Sequence, residues 1–146
     1  MPDIPAAGVQ YVLDQPADVQ VAESVGVENV LLGEIIARDS GLATIRVGTT
    51  DLACVDTGET GPVFACVRAE EVTLAPGAPT ASSARNRLAG RILAVLREGA
   101  VARVELDCGF PLVALVTAQS AGDLHLRPGD PVSAVIKATS VHLVSR

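Results

Sequence analysis

The chain has 146 residues, a formal net charge of −6 and 49% apolar residues, but only 2% of its residues are aromatic and none is Trp. This length and apolar content suffice for one domain or two very small ones, and a core of Val, Ile, Leu and Ala is typical of narrow β barrels. The acidic balance and the scarcity of rings argue against a nucleic-acid-binding protein, which attracts phosphates with basic residues and stacks bases on aromatic ones.

The N-terminal region differs in composition from the rest. Residues 1–26 are rich in Pro and Ala with interspersed acids, and they show no alternation of apolar and polar residues. We predict that they form a leader or linker, with a short helix over residues 15–25, because Pro16 suits the first turn of a helix. The region has neither a secretory signal nor a membrane-spanning run, so we expect a cytoplasmic protein.

Two β-rich regions follow, residues 27–76 and residues 83–146, with a Pro- and Ala-rich linker between them. The predicted strands are 31–38, 43–47, 51–55, 63–68 and 72–75, then 88–96, 100–106, 112–116, 132–138 and 141–144. A short helix is predicted from Ser120. Short strands at this spacing, separated by turn residues, predict an all-β fold of the barrel or sandwich type.

The two regions are also related in sequence. Residues 28–37 align with 85–94, so that Asn29 corresponds to Asn86. Residues 62–74 align with 131–143, so that Arg68 corresponds to Lys137. The second copy is longer, and its additional residues fall around 117–129. Two matching blocks in the same order indicate a tandem duplication of one small β unit.

The second copy carries several motifs in a fixed order. They are Ser83-Ala84-Arg85-Asn86 with Gly90, Gly99-Ala100-Val101-Ala102, Val116-Thr117 with Ser120, Pro128-Gly129, and Val135-Ile136-Lys137-Ala138. Together they resemble the Mop domain of the molbindins, a branch of the TOBE domains. The first copy resembles the more divergent half-domain found beside it in molybdate-importer ATPase subunits. The resemblance implies two tandem, small, OB-like five-stranded β barrels with a short helix in the second.

The resemblance also implies an oxyanion site. Its contacts would be Ser83, Ala84 and Arg85, then Thr117 and Ser120, and finally Lys137, in a site completed across a subunit or domain interface. A lining that only donates hydrogen bonds suits a fully ionised dianion such as molybdate or tungstate.

Each of these segments also has an ordinary structural explanation. A Ser-Arg-Asn segment before a strand can be a solvated turn. Thr117 and Ser120 can cap the short helix that follows them. Lys137 can be an edge-strand lysine that discourages aggregation.

No catalytic constellation is present in the sequence. The two histidines, His125 and His142, cannot be combined with a nucleophile and a carboxylate by any spacing argument, and the phosphate loop of ATPases is missing. The three cysteines lack metal-like spacing, and we expect small buried apolar residues in a reducing compartment. The sequence therefore predicts neither an enzyme nor a metal site other than the oxyanion, although the chain can belong to an ATPase subunit.

The leading hypothesis is a cytoplasmic molybdate- or tungstate-binding regulatory module of an ABC-type importer. The alternatives are a free-standing molbindin that stores molybdate, and a structural dimerisation module with a vestigial site. The expected partners are a second copy in a homodimer, an ATPase core and a membrane permease, with neither nucleic acid nor insertion into the membrane. Residues 1–26 resemble in part the helix that leaves such an ATPase core, which favours a piece of a longer protein.

Charge distinguishes the two copies. Residues 83–146 carry eight basic and five acidic side chains, whereas the rest of the chain carries three basic and twelve acidic ones. A locally basic second copy can attract a small anion despite the overall charge. At the aligned positions, Glu28 stands where the second copy has Arg85. We therefore expect the second copy to supply the principal ligand contacts and the first to act mainly as a packing partner.

Overall fold

The computed structural model describes residues 28–77 and 86–146. The leader and the residues Ser83, Ala84 and Arg85 of the motif lie outside the described residues. The strands are β1 (Glu28–Asp39), β2 (Leu42–Val47), β3 (Thr50–Val55), β4 (Pro62–Arg68), β5 (Thr73–Pro76), β6 (Asn86–Glu98), β7 (Val101–Asp107), β8 (Pro111–Thr117), β9 (Pro131–Ile136) and β10 (His142–Ser145). All ten predicted strands are present, with ends that differ by a few residues.

The described residues also form three short helical elements. The helix α1 (Ala118–Asp123) follows β8, so the predicted helix is confirmed but begins at Ala118 rather than at Ser120. The first 3₁₀ turn, Ala69–Glu71, follows β4, and the second 3₁₀ turn, Ala138–Ser140, follows β9. Among residues 28–77 and 86–146, no helix has the length and apolar character needed to cross a bilayer.

The strands form two curled antiparallel sheets of five strands each. The first unit has the strand order β10-β4-β1-β2-β3, and the second unit has the order β5-β9-β6-β7-β8. In each unit one long strand, β1 or β6, pairs with one neighbour along its first half and with another along its second half. The all-β fold predicted from the alternation of the sequence, with two five-stranded units, is confirmed.

The two units exchange their last strands. β5, which ends the first sequence copy, pairs with β9 of the second unit, where Thr73 lies opposite Val135. β10, which ends the second copy, pairs with β4 of the first unit, where His142 lies opposite Cys66. Alternation along a segment identifies a strand and its inward face but not its partner, so the sequence did not indicate this exchange.

Gly33 in β1 and Gly90 in β6 occupy equivalent positions of close packing. A Cβ atom at residue 33 would lie 2.6 Å from Cγ2 of Ile45, and one at residue 90 would lie 2.8 Å from Sγ of Cys108. Side chains at these positions would displace their neighbours, and a shift in strand register follows each glycine. The repeated glycine of the sequence therefore corresponds to a repeated bend in the fold.

Apolar side chains of both units form the core. Its largest fully buried members are Ile45, Leu52, Ile92, Leu106, Leu112 and Ile136. Cys54 and Cys108 are buried free thiols, as expected, while Cys66 is half-buried. Burial raises the pKa of Cys66 to about 11 and that of Cys108 to about 12, so both remain neutral thiols near pH 7.

Two buried asparagines join the units. The side chain of Asn29, in β1, donates to the carbonyl oxygen of Val113 in β8 (2.9 Å) and accepts from the Val113 amide (2.9 Å). The side chain of Asn86, in β6, donates to the carbonyl oxygen of Ala53 in β3 (2.9 Å) and accepts from the Ala53 amide (2.7 Å). Each amide thus bonds the backbone of an outer strand in the opposite unit.

Each 3₁₀ turn also contacts the opposite unit: the first packs on β8 and the second packs on β3.

Ion pairs contribute nothing to the junction between the units among the described residues. The pairs Arg38–Asp56, Arg46–Asp51 and Arg103–Glu105 each lie within one unit. The uneven charge of the two copies therefore does not act through ion pairs between the described parts of the units.

Replacing Asn29 tests how much the buried amides stabilise the fold. Asn29→Ala leaves the amide and carbonyl of Val113 without these partners and should lower the free energy of unfolding by about 2–4 kcal/mol, measured by urea denaturation. The control Asp51→Asn removes an exposed ion pair with Arg46 and should have a far smaller effect. Equal losses in the two variants would contradict a joining role for Asn29.

Candidate functional site

Lys137 lies directly after β9, at the start of the second 3₁₀ turn. Its side chain is exposed, and its carbonyl oxygen accepts a hydrogen bond of 2.9 Å from the Ser140 amide. β9 lies between β5 and β6 in the sheet. The explanation of Lys137 as an edge-strand lysine is therefore wrong, because the strand before it is internal.

The end of the Ser-Ala-Arg-Asn motif lies at the same corner of the second unit. Its last residue, Asn86, is buried and begins β6, where it pairs with Ile136, the residue before Lys137. The described structure thus brings the end of the motif and Lys137 to adjacent strands. The positions of Ser83, Ala84 and Arg85 themselves are not described.

Thr117 and Ser120 lie elsewhere in the second unit. Thr117 ends β8 and caps α1: its side-chain oxygen accepts from the Ser120 amide (3.0 Å), and its hydroxyl lies 2.9 Å from that of Ser120. Capping, the ordinary explanation for these two residues, is confirmed. Both side chains are exposed.

In the register of the second sheet, Thr117 and Lys137 lie beside opposite ends of β6. Ile136, next to Lys137, pairs with Asn86 at the start of β6, whereas Val101, the partner of Thr117, pairs with Glu98 at its end. The two groups therefore lie beside opposite ends of a strand of 13 residues.

The corresponding corner of the first unit has the opposite charge. Arg68 precedes the first 3₁₀ turn as Lys137 precedes the second, but Glu28 lies directly opposite Arg68 in the register of β1 and β4. Opposite charges on facing residues attract each other, and Glu70 and Glu71 add two more carboxylates in the turn itself. This corner therefore holds one basic and three acidic side chains.

The second unit replaces those two carboxylates with Thr139 and Ser140. Thr139 is exposed, whereas Ser140 is only 9% exposed. The sequence alignment of residues 62–74 with 131–143 already contained this difference, but it was not singled out. It leaves the turn that follows Lys137 without an acidic side chain.

No described group of side chains suits a metal ion. Among residues 28–77 and 86–146, no cluster of three or more His, Cys, Asp or Glu could hold one. His142 is exposed on β10. Beside the end of β9, the exposed Lys137 ammonium and Thr139 hydroxyl are groups that can donate hydrogen bonds.

Comparisons with known proteins agree with this architecture. The model of the TOBE domain matches residues 82–143. A crystal structure of the cytoplasmic molybdate-binding protein ModG, in a PEG-grown form with molybdate bound, is 30% identical with a TM-score of 0.69, and the match covers 81% of this chain and 96% of that one. This chain belongs to the TOBE domain family. The resemblance drawn from the motifs is confirmed, as is the tandem Mop/OB type of fold.

The curated relatives of this chain are named as ATP-binding proteins of importers. The molybdenum import ATP-binding protein ModC of Brucella abortus (strain 2308) is 40% identical over 126 residues, and that of Mesorhizobium japonicum is 34% identical over 145 residues. The molybdate/tungstate import ATP-binding protein WtpC of Pyrococcus horikoshii is 28% identical over 137 residues. The match spans only 35%, 38% and 37% of these relatives, respectively.

The cap at Thr117 provides a test that needs no ligand. Thr117→Ala removes the acceptor for the Ser120 amide and should lower the free energy of unfolding by about 1 kcal/mol in urea denaturation. Thr117→Asn keeps a side-chain oxygen that can cap α1 and should cost less. A loss as large in Thr117→Asn as in Thr117→Ala would contradict the capping role.

Proposed function

We propose that this TOBE protein binds molybdate or tungstate and acts as the regulatory module of an ABC-type importer. The observation that carries the proposal is the likeness to the molybdate-binding ModG at 30% identity over 96% of that chain. The chemistry of the corner at Lys137 supports it independently. Relatives named as importers of molybdenum, molybdate or tungstate support the choice of ligand.

The hydrogen-bond donors that we assign to this corner suit the oxygen atoms of a tetrahedral dianion. The Lys137 ammonium offers three donors on a flexible stem, and we assign further contacts to Ser83, Ala84 and Arg85 before β6. Fully ionised molybdate has no proton to donate, so it needs no acceptor in the site. Each charge-assisted hydrogen bond contributes about 1.5–3 kcal/mol.

Thr117 and Ser120 enter the proposed site from another subunit. Within one chain they lie at the far end of β6 from Lys137. A second copy can present its own Thr117 and Ser120 hydroxyls to the ligand held by Lys137. The site is then complete only in the assembly, so ligand binding and self-association strengthen each other.

Regulation follows from the same linkage. In a cytoplasmic importer subunit, a ligand that binds better to one arrangement of the dimer shifts the population toward it. We propose that intracellular molybdate or tungstate stabilises the arrangement in which transport is inhibited. The ATPase core and the membrane permease are the partners in this proposal, which places the protein at the inner face of the membrane.

A second candidate function is storage of molybdate by a free-standing protein. It is favoured by the coverage of the ModG chain, which this chain matches almost from end to end, whereas it spans about a third of the importer relatives. An immunoblot of cell extract separates the two. A band near 14.9 kDa indicates a free-standing protein, and a band at more than twice that mass indicates an importer subunit.

Calorimetric titration with molybdate, tungstate, sulfate and phosphate tests binding. Molybdate or tungstate should bind well below millimolar. Lys137→Ala or Arg85→Ala should weaken that binding roughly ten- to a hundredfold, because each removes a charge-assisted contact. The matched control is Arg68→Ala, the equivalent position of the first unit, which should change affinity far less.

The outcomes separate the alternatives. Absence of binding heat and of a thermal shift with either anion would support the structural dimerisation module. Loss of binding in Arg68→Ala with retention in Lys137→Ala would move the site to the first unit.

Light scattering tests the assembly. At tens of micromolar the protein should have at least the mass of a dimer, and molybdate should shift the distribution further toward the assembled form. A monomer both with and without oxyanion would contradict a site completed by a second copy.

A further inference from the structure

We propose that strand β3 of the first unit positions Lys137, acting through Asn86 and the second 3₁₀ turn, and thereby sets the affinity for the oxyanion. The inference rests on the proposed function. It assigns to the first unit a role beyond packing, and it makes Asn86 a positioning residue that need not touch the ligand.

The first attachment to β3 is the buried side chain of Asn86. It accepts from the Ala53 amide at 2.7 Å and donates to the Ala53 carbonyl at 2.9 Å, so it bonds both polar backbone groups of one residue. Asn86 is only 4% exposed, and its backbone pairs with Ile136, the immediate neighbour of Lys137. Movement of β3 is therefore transmitted to the strand pair that ends at Lys137.

The second attachment is the 3₁₀ turn that begins after Lys137. The Ser140 amide donates to the Lys137 carbonyl oxygen at 2.9 Å, and the turn packs against β3 with Ala138 and Ser140 buried. The ladder between β6 and β9 ends at the pair of Asn86 with Ile136. After that pair, the hydrogen bond from Ser140 to the Lys137 carbonyl oxygen fixes the backbone of Lys137 to the turn, and the turn packs against β3.

Both attachments are made to the opposite unit. The contact with β3 and oxyanion binding are therefore coupled: bound ligand strengthens the contact by the same factor by which the formed contact strengthens ligand binding. A variant that breaks the contact weakens ligand binding. Long, flexible lysine side chains lose much conformational entropy on binding, so a fixed backbone lowers the cost of placing the ammonium.

The repeat supplies a matched control. Asn29 makes the equivalent contact with Val113 of β8, but its strand neighbours lead to Arg68, beside which lie Glu28, Glu70 and Glu71. Asn29→Ala and Asn86→Ala both remove a buried amide between the units. They differ in whether the loosened corner carries Lys137.

The experiment is calorimetric titration of molybdate into the wild-type chain, Asn86→Ala and Asn29→Ala, at a temperature where circular dichroism shows all three to be folded. Asn86→Ala should weaken binding roughly tenfold, and Asn29→Ala less than about twofold. Wild-type binding with equal affinities in the two variants would overturn the inference and leave the proposed function intact. No binding to the wild-type chain would overturn both.

Hydrogen exchange in the wild-type protein provides a measurement that needs no variant to fold. Molybdate should slow exchange of the Ala53 amide, which bonds Asn86, severalfold more than exchange of the Val113 amide, which bonds Asn29. Equal protection of the two amides by bound molybdate would overturn the inference. Binding itself is scored in the same samples by the shift of resonances near Lys137, so a failure of the proposed function is recognised separately.

Discussion

The junction between the units depends on two side-chain amides that replace missing strand neighbours. A buried backbone amide or carbonyl without a partner costs about 1–3 kcal/mol, and Ala53 and Val113 lie on strands that have a ladder partner on one side only. Asn29 and Asn86 bond these groups and require the two sheets to meet in one register. Apolar packing alone would tolerate sliding, whereas paired donors and acceptors do not.

The duplicated fold separates backbone architecture from surface chemistry. The equivalent glycines, asparagines and 3₁₀ turns give both copies the same geometry. At the corner after the fourth strand of each copy, however, the first unit presents Glu70 and Glu71 and the second presents Thr139 and Ser140. A small number of side-chain replacements therefore changes the charge of the turn, while the hydrogen bond from Val72 to Ala69 in the first copy and from Val141 to Ala138 in the second is retained.

The sequence predicted what depends on local pattern. Alternation identified the strands, and the repeat aligned Lys137 with Arg68 at equivalent turns. It did not reveal that β9 is internal or that the Asn86 side chain bonds the backbone of Ala53. Nor did it reveal that β5 pairs in the second sheet and β10 in the first. Those features join residues far apart in the chain, and a period of two carries no information about which strand lies alongside. The contact roles of Ser83, Ala84, Arg85, Thr117, Ser120 and Lys137 remain predictions.

The exchanged strands give the chain an interlocked topology. The fifth strand of each sheet comes from the other sequence copy. One copy alone would therefore leave β4 or β9 without a neighbour on one side. Two separate single-copy chains would satisfy this requirement by trading their terminal segments, and the tandem chain is the covalently linked equivalent of that pair. A cut between Gly77 and Asn86 would accordingly leave two fragments that are still held together by ladder hydrogen bonds.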